Sequence, residues 1–157
     1  MSSGMFTEEF YGRSDVATTL STMSERAEHL PLLPDAAGAY EKLLAVGFDT
    51  EELIAGWSVI LLELRERLAA RSPEFVLRAK EKFALPTFVA YYTGDVSEQD
   101  KAVAESAARY SESVASLTCQ WCSRPGRPRS EKIITVACDG CLPLLLAAWD
   151  ERHAPIS

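Results

Sequence analysis

Four cysteines constrain the fold of this chain more than any other feature. The sequence reads Cys119-Gln-Trp-Cys122 and, after fifteen intervening residues, Cys138-Asp-Gly-Cys141. Two cysteines three positions apart at a tight turn aim both sulfurs at one point, and two such knuckles place four thiolates around one ion. In a zinc ribbon the metal binds tetrahedrally at about 2.3 Å from each sulfur. We therefore predict one structural zinc ion, bound by Cys119, Cys122, Cys138 and Cys141.

Other uses of four cysteines fit the sequence less well. Disulfides are typical of secreted proteins, and Met1 to Phe10 lack the basic and apolar segments of a signal peptide. A redox dithiol needs one pair in a βαβ context, and iron–sulfur clusters usually use other spacings. Catalytic zinc needs an open coordination position, which four thiolates fill. His153, twelve residues beyond Cys141, is expected to be a tail residue rather than a ligand.

The loop between the two cysteine pairs is basic and carries Arg124, Arg127, Arg129 and Lys132. Four thiolates with one Zn²⁺ have a net charge of about −2, which these side chains would offset. The alternative is that the same four residues bind a phosphate or another small anion. We expect charge compensation and keep anion binding as the second hypothesis.

Elsewhere, apolar residues recur mostly at the spacing of a helix. Helices are predicted over 14–30, 35–47, 49–68, 72–83, 97–117 and 142–149, most of them beginning near a capping residue or a proline. Gly47 is expected to end the second helix, Asp49 with Glu52 to cap the third, and Ser97 to cap the long helix. The third helix carries an apolar stripe that includes Leu61, Leu64 and Leu68. One short segment, 87–93, is β-branched and aromatic and predicts a strand. The buried side of the long helix is expected to be lined by Val103, Ala107, Tyr110, Val114 and Leu117.

These elements predict a mainly α fold, with a helical core, a short β element and a C-terminal zinc ribbon. Residues 1–118 would form the helical body, with its strand near 87–93. Residues 119–157 would form the ribbon and a C-terminal helix packed on the body. No apolar run approaches the roughly 20 residues that span a bilayer, so we expect no membrane insertion and a cytoplasmic location.

The chain is acidic, with a formal net charge of −7. Residues 1–100 hold nine Lys/Arg and seventeen Asp/Glu, whereas residues 101–157 hold seven and six. An acidic surface repels phosphates at long range and attracts basic partners. The aromatic strand residues Phe88, Tyr91 and Tyr92 could stack bases, but such a strand is more often buried between helices.

No motif of a known catalytic site occurs in the sequence. The two histidines, His29 and His153, lie near the ends of predicted elements. Adjacent acidic pairs such as Glu51-Glu52 point apart on a helix and do not converge on a substrate. An enzyme whose active residues are far apart in sequence stays an alternative.

Several short segments also occur together in a known family. They are Gly56-Trp57, Lys80-Glu81-Lys82-Phe83, Tyr91-Tyr92, Ala104-Glu105-Ser106, the two cysteine pairs and Pro125-Gly126. Through them the chain resembles a family of small, largely uncharacterised bacterial and phage zinc-binding proteins. It departs from that family at Ser123, where the family has glycine, and at residues 84–87, which replace Gly-x-Leu-Arg. The resemblance implies one zinc-bearing unit and an inhibitor-like role on mobile elements.

The leading hypothesis is a non-enzymatic, zinc-stabilised protein-binding module. An inhibitor or immunity protein acting on a basic, nucleic-acid-binding partner would fit the acidic surface. The alternatives are a nucleic-acid or phosphate-binding protein that uses the basic ribbon loop, and an enzyme whose site is not readable from sequence.

Overall fold

A computed structural model describes residues 28–155 of the chain. Of these residues 46% are helical and 20% lie in strands, so the fold is α+β and the prediction of a mainly α fold is wrong. The elements in chain order are α1 (Pro34–Ala45), a 3₁₀ turn (Ala55–Trp57), α2 (Ser58–Arg71), β1 (Phe75–Lys82), β2 (Leu85–Tyr92), α3 (Glu98–Ala115), β3 (Arg127–Ser130), β4 (Ile134–Ala137) and α4 (Cys141–Arg152). The helix predicted at 14–30 lies outside the described residues except for 28–30, which form no helix.

The main correction is a β-hairpin where one of the helices was predicted. Segment 72–83 has apolar residues at helical spacing, but it forms β1, which pairs antiparallel with β2 from Phe75↔Tyr92 to Lys82↔Leu85. Leu77 and Ala79 are buried while their neighbours are exposed, which is the period of a strand. The strand predicted at 87–93 is confirmed within β2.

Side chains from helix α3 and from the segment before the 3₁₀ turn bind backbone groups on the two edges of this hairpin. On the β1 edge, the Ala79 N–H donates to Glu52 Oε1 at 3.2 Å. On the β2 edge, the Phe88 N–H donates to Glu112 Oε2 at 2.7 Å, and Arg109 donates to the Phe88 carbonyl at 2.6 Å. Satisfied edge groups do not recruit another strand, so the hairpin stays two-stranded.

Helix α2 begins later than predicted. The expected capping pair, Asp49 and Glu52, is not used: Asp49 Oδ1 accepts from the Glu51 N–H in a turn, and the Glu52 carboxylate binds Arg78. The helix starts only at Ser58, after the 3₁₀ turn. Its predicted apolar stripe is buried at Leu61, Leu64 and Leu68.

Helix α3 is capped as predicted but buries a different side. Ser97 Oγ accepts from the Asp100 N–H at 3.0 Å. The side chains that face the core are the small ones, Ala104, Ala107, Ala108, Ser111 and Ala115. Of the predicted stripe only Ala107 is buried, whereas Tyr110, Val114 and Leu117 are 62%, 36% and 63% exposed. Arg109 and Glu112 fix this rotation because they bind the β2 edge.

The main core lies between α2, α3 and the inner face of the hairpin. Trp57 and Phe88 are fully buried in edge-to-face contact, with ring centroids 5.9 Å apart. A second, smaller cluster contains the four cysteines, Ala137 and Leu145. None of the helices in residues 28–155 has both the length and the hydropathy needed to cross a bilayer.

Candidate metal centre

The four predicted ligands converge on one point. Their sulfurs all lie within 4.8 Å of one another, with Cys122 Sγ and Cys138 Sγ 3.6 Å apart. Bonds of about 2.3 Å to a tetrahedral zinc would space the sulfurs about 3.8 Å apart, which this arrangement fits. All four side chains are buried and none is in a disulfide, whose sulfurs would be about 2.05 Å apart. This group can therefore bind a metal ion.

The first knuckle is the turn that follows α3. The Cys119 N–H donates to the Arg124 carbonyl at 2.7 Å, and the Ser123 N–H donates to the Cys119 carbonyl at 3.0 Å. Ser123 has φ +81, in the left-handed region that favours glycine. A glycine at this position would therefore relieve backbone strain. A Cβ on Gly126 would lie 2.9 Å from the Ala137 carbonyl carbon, so the loop passes close to β4.

The second knuckle joins β4 to α4, and α4 begins at Cys141 itself. The Cys141 N–H donates to Cys138 Sγ at 3.2 Å. Gln120 links the two knuckles twice: its N–H donates to the Val136 carbonyl, and its Oε1 accepts from the Val136 N–H, both at 2.9 Å. Trp121 Nε1 donates to Thr135 Oγ1 at 2.9 Å. The ribbon is thus hydrogen-bonded between its halves as well as through the ligands.

The chain before α1 contributes to the ribbon, which the sequence did not indicate. The Leu30 N–H donates to Cys141 Sγ at 3.3 Å, and the Leu33 N–H donates to the Cys122 carbonyl at 3.0 Å. The His29 ring lies 5.5 Å from the Trp121 ring, beside the ligands but not among them. No local pattern in residues 28–33 could have predicted contacts with residues so distant in sequence.

Gly56 and Trp57 join the helical body to the first knuckle. The Gly56 N–H donates to the Gln120 carbonyl at 2.9 Å, and a Cβ at Gly56 would lie 2.2 Å from the Cys119 carbonyl oxygen. The Trp57 indole donates to the Thr118 carbonyl at 2.8 Å. The pair was singled out only through the resemblance, and the structure gives it a physical role.

Electrostatics at the site favour a bound cation. Burial raises the pKa of the Cys119 and Cys141 thiols. Burial also opposes ionisation of Cys138, but backbone N–H donors led by that of Cys141 outweigh it, so the pKa of Cys138 is lowered. Four buried thiolates without a cation would be costly, and a coordinated metal ion removes that cost because it deprotonates its thiol ligands.

The predicted basic residues lie around the ribbon without converging. Arg129 is buried and donates to the Ala137 carbonyl at 3.0 Å and to Asp139 at 2.8 Å. Lys132 pairs with Asp150 at 2.6 Å. A hydrogen bond with the Cys122 sulfur raises the pKa of Arg124, which also donates to the Pro31 carbonyl at 2.9 Å. Arg127 is exposed, and its charge helps Arg129 lower the pKa of Asp139.

Within residues 28–155, one of the grooves large enough for a small ligand contains acidic side chains. It has a volume of about 610 Å³ and lies between the end of α1, α2 and β1. Its acidic residues are Asp49 and Glu52, and it is lined by no Cys, His or Lys. The hydrogen bond from Arg78 lowers the pKa of Glu52, so this carboxylate is poorly suited to donate a proton near neutral pH.

Comparison with models of protein families, with curated proteins and with solved structures gives no match to this chain.

Proposed function

We propose that this protein is a non-enzymatic binding module whose C-terminal ribbon is held by a structural zinc ion. The observation that carries the proposal is the set of four buried sulfurs within 4.8 Å of one another. Four thiolates complete a tetrahedral shell and leave no position for substrate, so the ion would stabilise the fold. A four-iron cluster would spread its ligand sulfurs farther apart, because each cysteine binds a different iron.

The partner we propose is a basic protein, as expected of an inhibitor or immunity protein of a phage or mobile element. Tyr110 and Val114 on α3, with Leu117 in the turn just after it, form an exposed apolar row at the spacing by which a helix contacts another protein. Arg67 on α2 lies over the Tyr110 ring, and the exposed Glu63 precedes Arg67 by one turn. Within residues 28–155, Glu63 has no ion-pair partner, so a basic side chain of the partner could pair with it.

The experiment compares two double variants as bait in extracts of the source cells. Tyr110→Ser with Leu117→Ser removes the apolar row, and Leu44→Ser with Val46→Ser removes two exposed apolar residues from the region of α1. A protein captured by the wild type is purified and titrated against each variant. We expect the first variant to lose at least about tenfold in affinity and the control to bind like the wild type. Equal binding by both, or binding insensitive to salt, would refute the basic protein partner.

The two alternative functions have less support. Anion binding by the ribbon loop would need free cations, but Arg129 and Lys132 are already in ion pairs. An enzyme would need a general base or a nucleophile in the groove beside β1. The candidates in its lining, Asp49, Glu52 and Ser72, already accept hydrogen bonds from neighbouring groups of the protein. Nucleic-acid binding is better supported at another surface.

A further inference from the structure

The outer face of the β-hairpin is uncovered in the described part of the chain. Alternate residues of β1 and β2 point inward and pack on the helices, as Ala79 and Phe88 do. The residues that point outward, here called the hairpin face, are Val76, Arg78, Lys80, Lys82, Leu85, Thr87, Val89 and Tyr91, with Phe83 at the turn.

Positive charge is concentrated on this face. Arg78, Lys80 and Lys82 occupy successive outward positions of β1, which places them in one row about 7 Å apart. Arg78 is paired with Glu52, and the Glu52 carboxylate also attracts Lys80 without forming an ion pair with it. Lys82 is exposed and has no ion-pair partner within residues 28–155. The net charge of the chain is −7, so most of its surface repels phosphates. The aligned cations on β1 make a local positive surface.

Aromatic side chains are exposed beside these cations. Tyr91 is 56% exposed and lies opposite Val76. Phe83 is 67% exposed at the turn, where both central residues have positive φ, +56 for Phe83 and +64 for Ala84. Asn-Gly is the usual sequence for such a turn, and a bulky residue there is strained. The chain thus tolerates strain to place a phenyl ring in solvent, which is typical of a functional position.

We infer that the hairpin face binds single-stranded nucleic acid. Phosphates would follow the row of Arg78, Lys80 and Lys82, and unpaired bases would stack on Tyr91 and Phe83. A cationic track beside exposed rings is the arrangement by which proteins bind single strands without sequence preference. An acidic protein would not require stacking rings. A membrane surface would use the exposed apolar residues at the turn, Phe83 and Leu85, but would leave Tyr91, toward the other end of the hairpin, without a role.

The hairpin is held rigidly enough to present this face. Its inner side contributes Phe88 to the main core, and its two edges are fixed by Glu52 and by Glu112 with Arg109. Preorganised side chains lose little conformational entropy on binding. The surface also lies on β1 and β2 and not on the metal ribbon, so it is independent of the zinc proposal.

Fluorescence anisotropy of a labelled oligo(dT) of about 15 nucleotides tests the inference with the full-length, metal-loaded protein. Lys80→Gln with Lys82→Gln should weaken binding and reduce the slope of log K against log salt by about 1.4, from two lost phosphate contacts. The control, Lys42→Gln with Arg127→Gln, removes two charges elsewhere and should leave the slope unchanged.

Variants of the exposed aromatic residues test whether bases stack on the hairpin face. Tyr91→Ala should weaken binding by about 5- to 100-fold, whereas Tyr110→Ala, which removes an equally exposed tyrosine from α3, should have no effect. Phe83→Asn should raise the thermal midpoint, because asparagine tolerates positive φ, and at the same time weaken oligonucleotide binding. A purely structural role for Phe83 would give the first effect without the second.

Three results would overturn the inference. The first is no binding of the oligonucleotide at low salt. The second is equal loss in the hairpin and control variants, which would move the interaction away from this face. The third is preference for another polyanion, either vesicles containing phosphatidylserine or poly-glutamate, over the oligonucleotide.

Discussion

The helical body, residues 34–115, and the ribbon, residues 118–141, keep their structures by different means. The body buries large side chains such as Trp57, Leu61 and Phe88 in one continuous core. The ribbon has strands of only four residues. Its Val136 packs into the core of the body, and its own small core consists mainly of the four cysteines. Apolar burial can hold the body, whereas under the proposed function the ribbon would depend on the metal ion that its thiols could bind. The two regions should therefore respond differently to the same perturbation.

Removing the metal should have the largest effect, and it should fall on the ribbon. Structural zinc contributes about 10 kcal/mol or more to folding of small domains. We expect Cys122→Ser, or a strong chelator, to abolish amide protection in β3 and β4 while α2, β1 and β2 stay protected in hydrogen exchange. Ser130→Ala, an exposed ribbon substitution, is the control. A ribbon that stays protected without metal would contradict this account.

A cavity in the body should destabilise the body and leave metal binding by the ribbon unchanged. Leu61 is fully buried, so Leu61→Ala should lower the free energy of unfolding by about 2 to 5 kcal/mol in urea titrations. Bound zinc per chain, measured by native mass spectrometry, should stay at the wild-type value. Leu44→Ala, at a position 37% exposed, should cost much less. If Leu61→Ala released the metal, the two regions would not be separable.

Gly56→Ala should affect both regions at once, because it acts at their junction. Its Cβ would lie 2.2 Å from the Cys119 carbonyl oxygen, and backbone atoms cannot move aside cheaply. We expect a loss of about 1 to 3 kcal/mol in stability and of about 10- to 100-fold in zinc affinity, read by competition with a chelating dye. Gly38→Ala in α1 is the matched control: nothing lies within 4 Å of its added Cβ, so it should stabilise the helix.

Glu52→Gln should weaken the body in a pH-dependent way. The hydrogen bond from Arg78 lowers the pKa of Glu52 below its ordinary value of 4.5. The carboxylate therefore contributes stability above pH 4.5 and loses it as the pH falls through its folded pKa. We expect the variant to be about 1 to 2 kcal/mol less stable than the wild type at pH 7, and the difference to shrink toward pH 3. A difference that stays constant with pH would mean that Glu52 acts through packing alone.

The smallest effect is expected at Ser123, and it should be a gain. Because Ser123 has φ +81, Ser123→Gly should stabilise the metal-loaded ribbon by about 1 kcal/mol. Ser130→Gly, in a strand with ordinary backbone angles, should destabilise it by a similar amount. The thermal unfolding midpoints of the two variants and the wild type show whether each substitution raises or lowers stability.

Local signals in the sequence were reliable where one short segment carries the whole reason for a structure. The Ser97 hydroxyl caps α3 by accepting from the Asp100 N–H, three residues along the chain. Gly47 ends α1 with φ +87. Both features follow from the residue types. The four cysteines whose sulfurs converge in the structure were identified from their spacing alone. The hairpin was missed because Phe75, Val76, Ala79 and Phe83 fit a helical spacing, and only pairing with β2 shows which period applies.

The sequence by itself identified the four cysteines that come together, since two pairs with a two-residue gap predict such a cluster from residue type and spacing. Only the tertiary structure decided which side of α3 is buried. The larger side chains of that helix predicted one side, but Arg109 and Glu112 bind the β2 edge and turn the alanines inward. The tertiary structure also decided how body and ribbon join. Position 56 requires glycine because the backbone of Cys119, far along the chain, leaves no room for a Cβ. Where the local sequence allows more than one side of a helix to be buried, contacts with distant segments determine which side is buried.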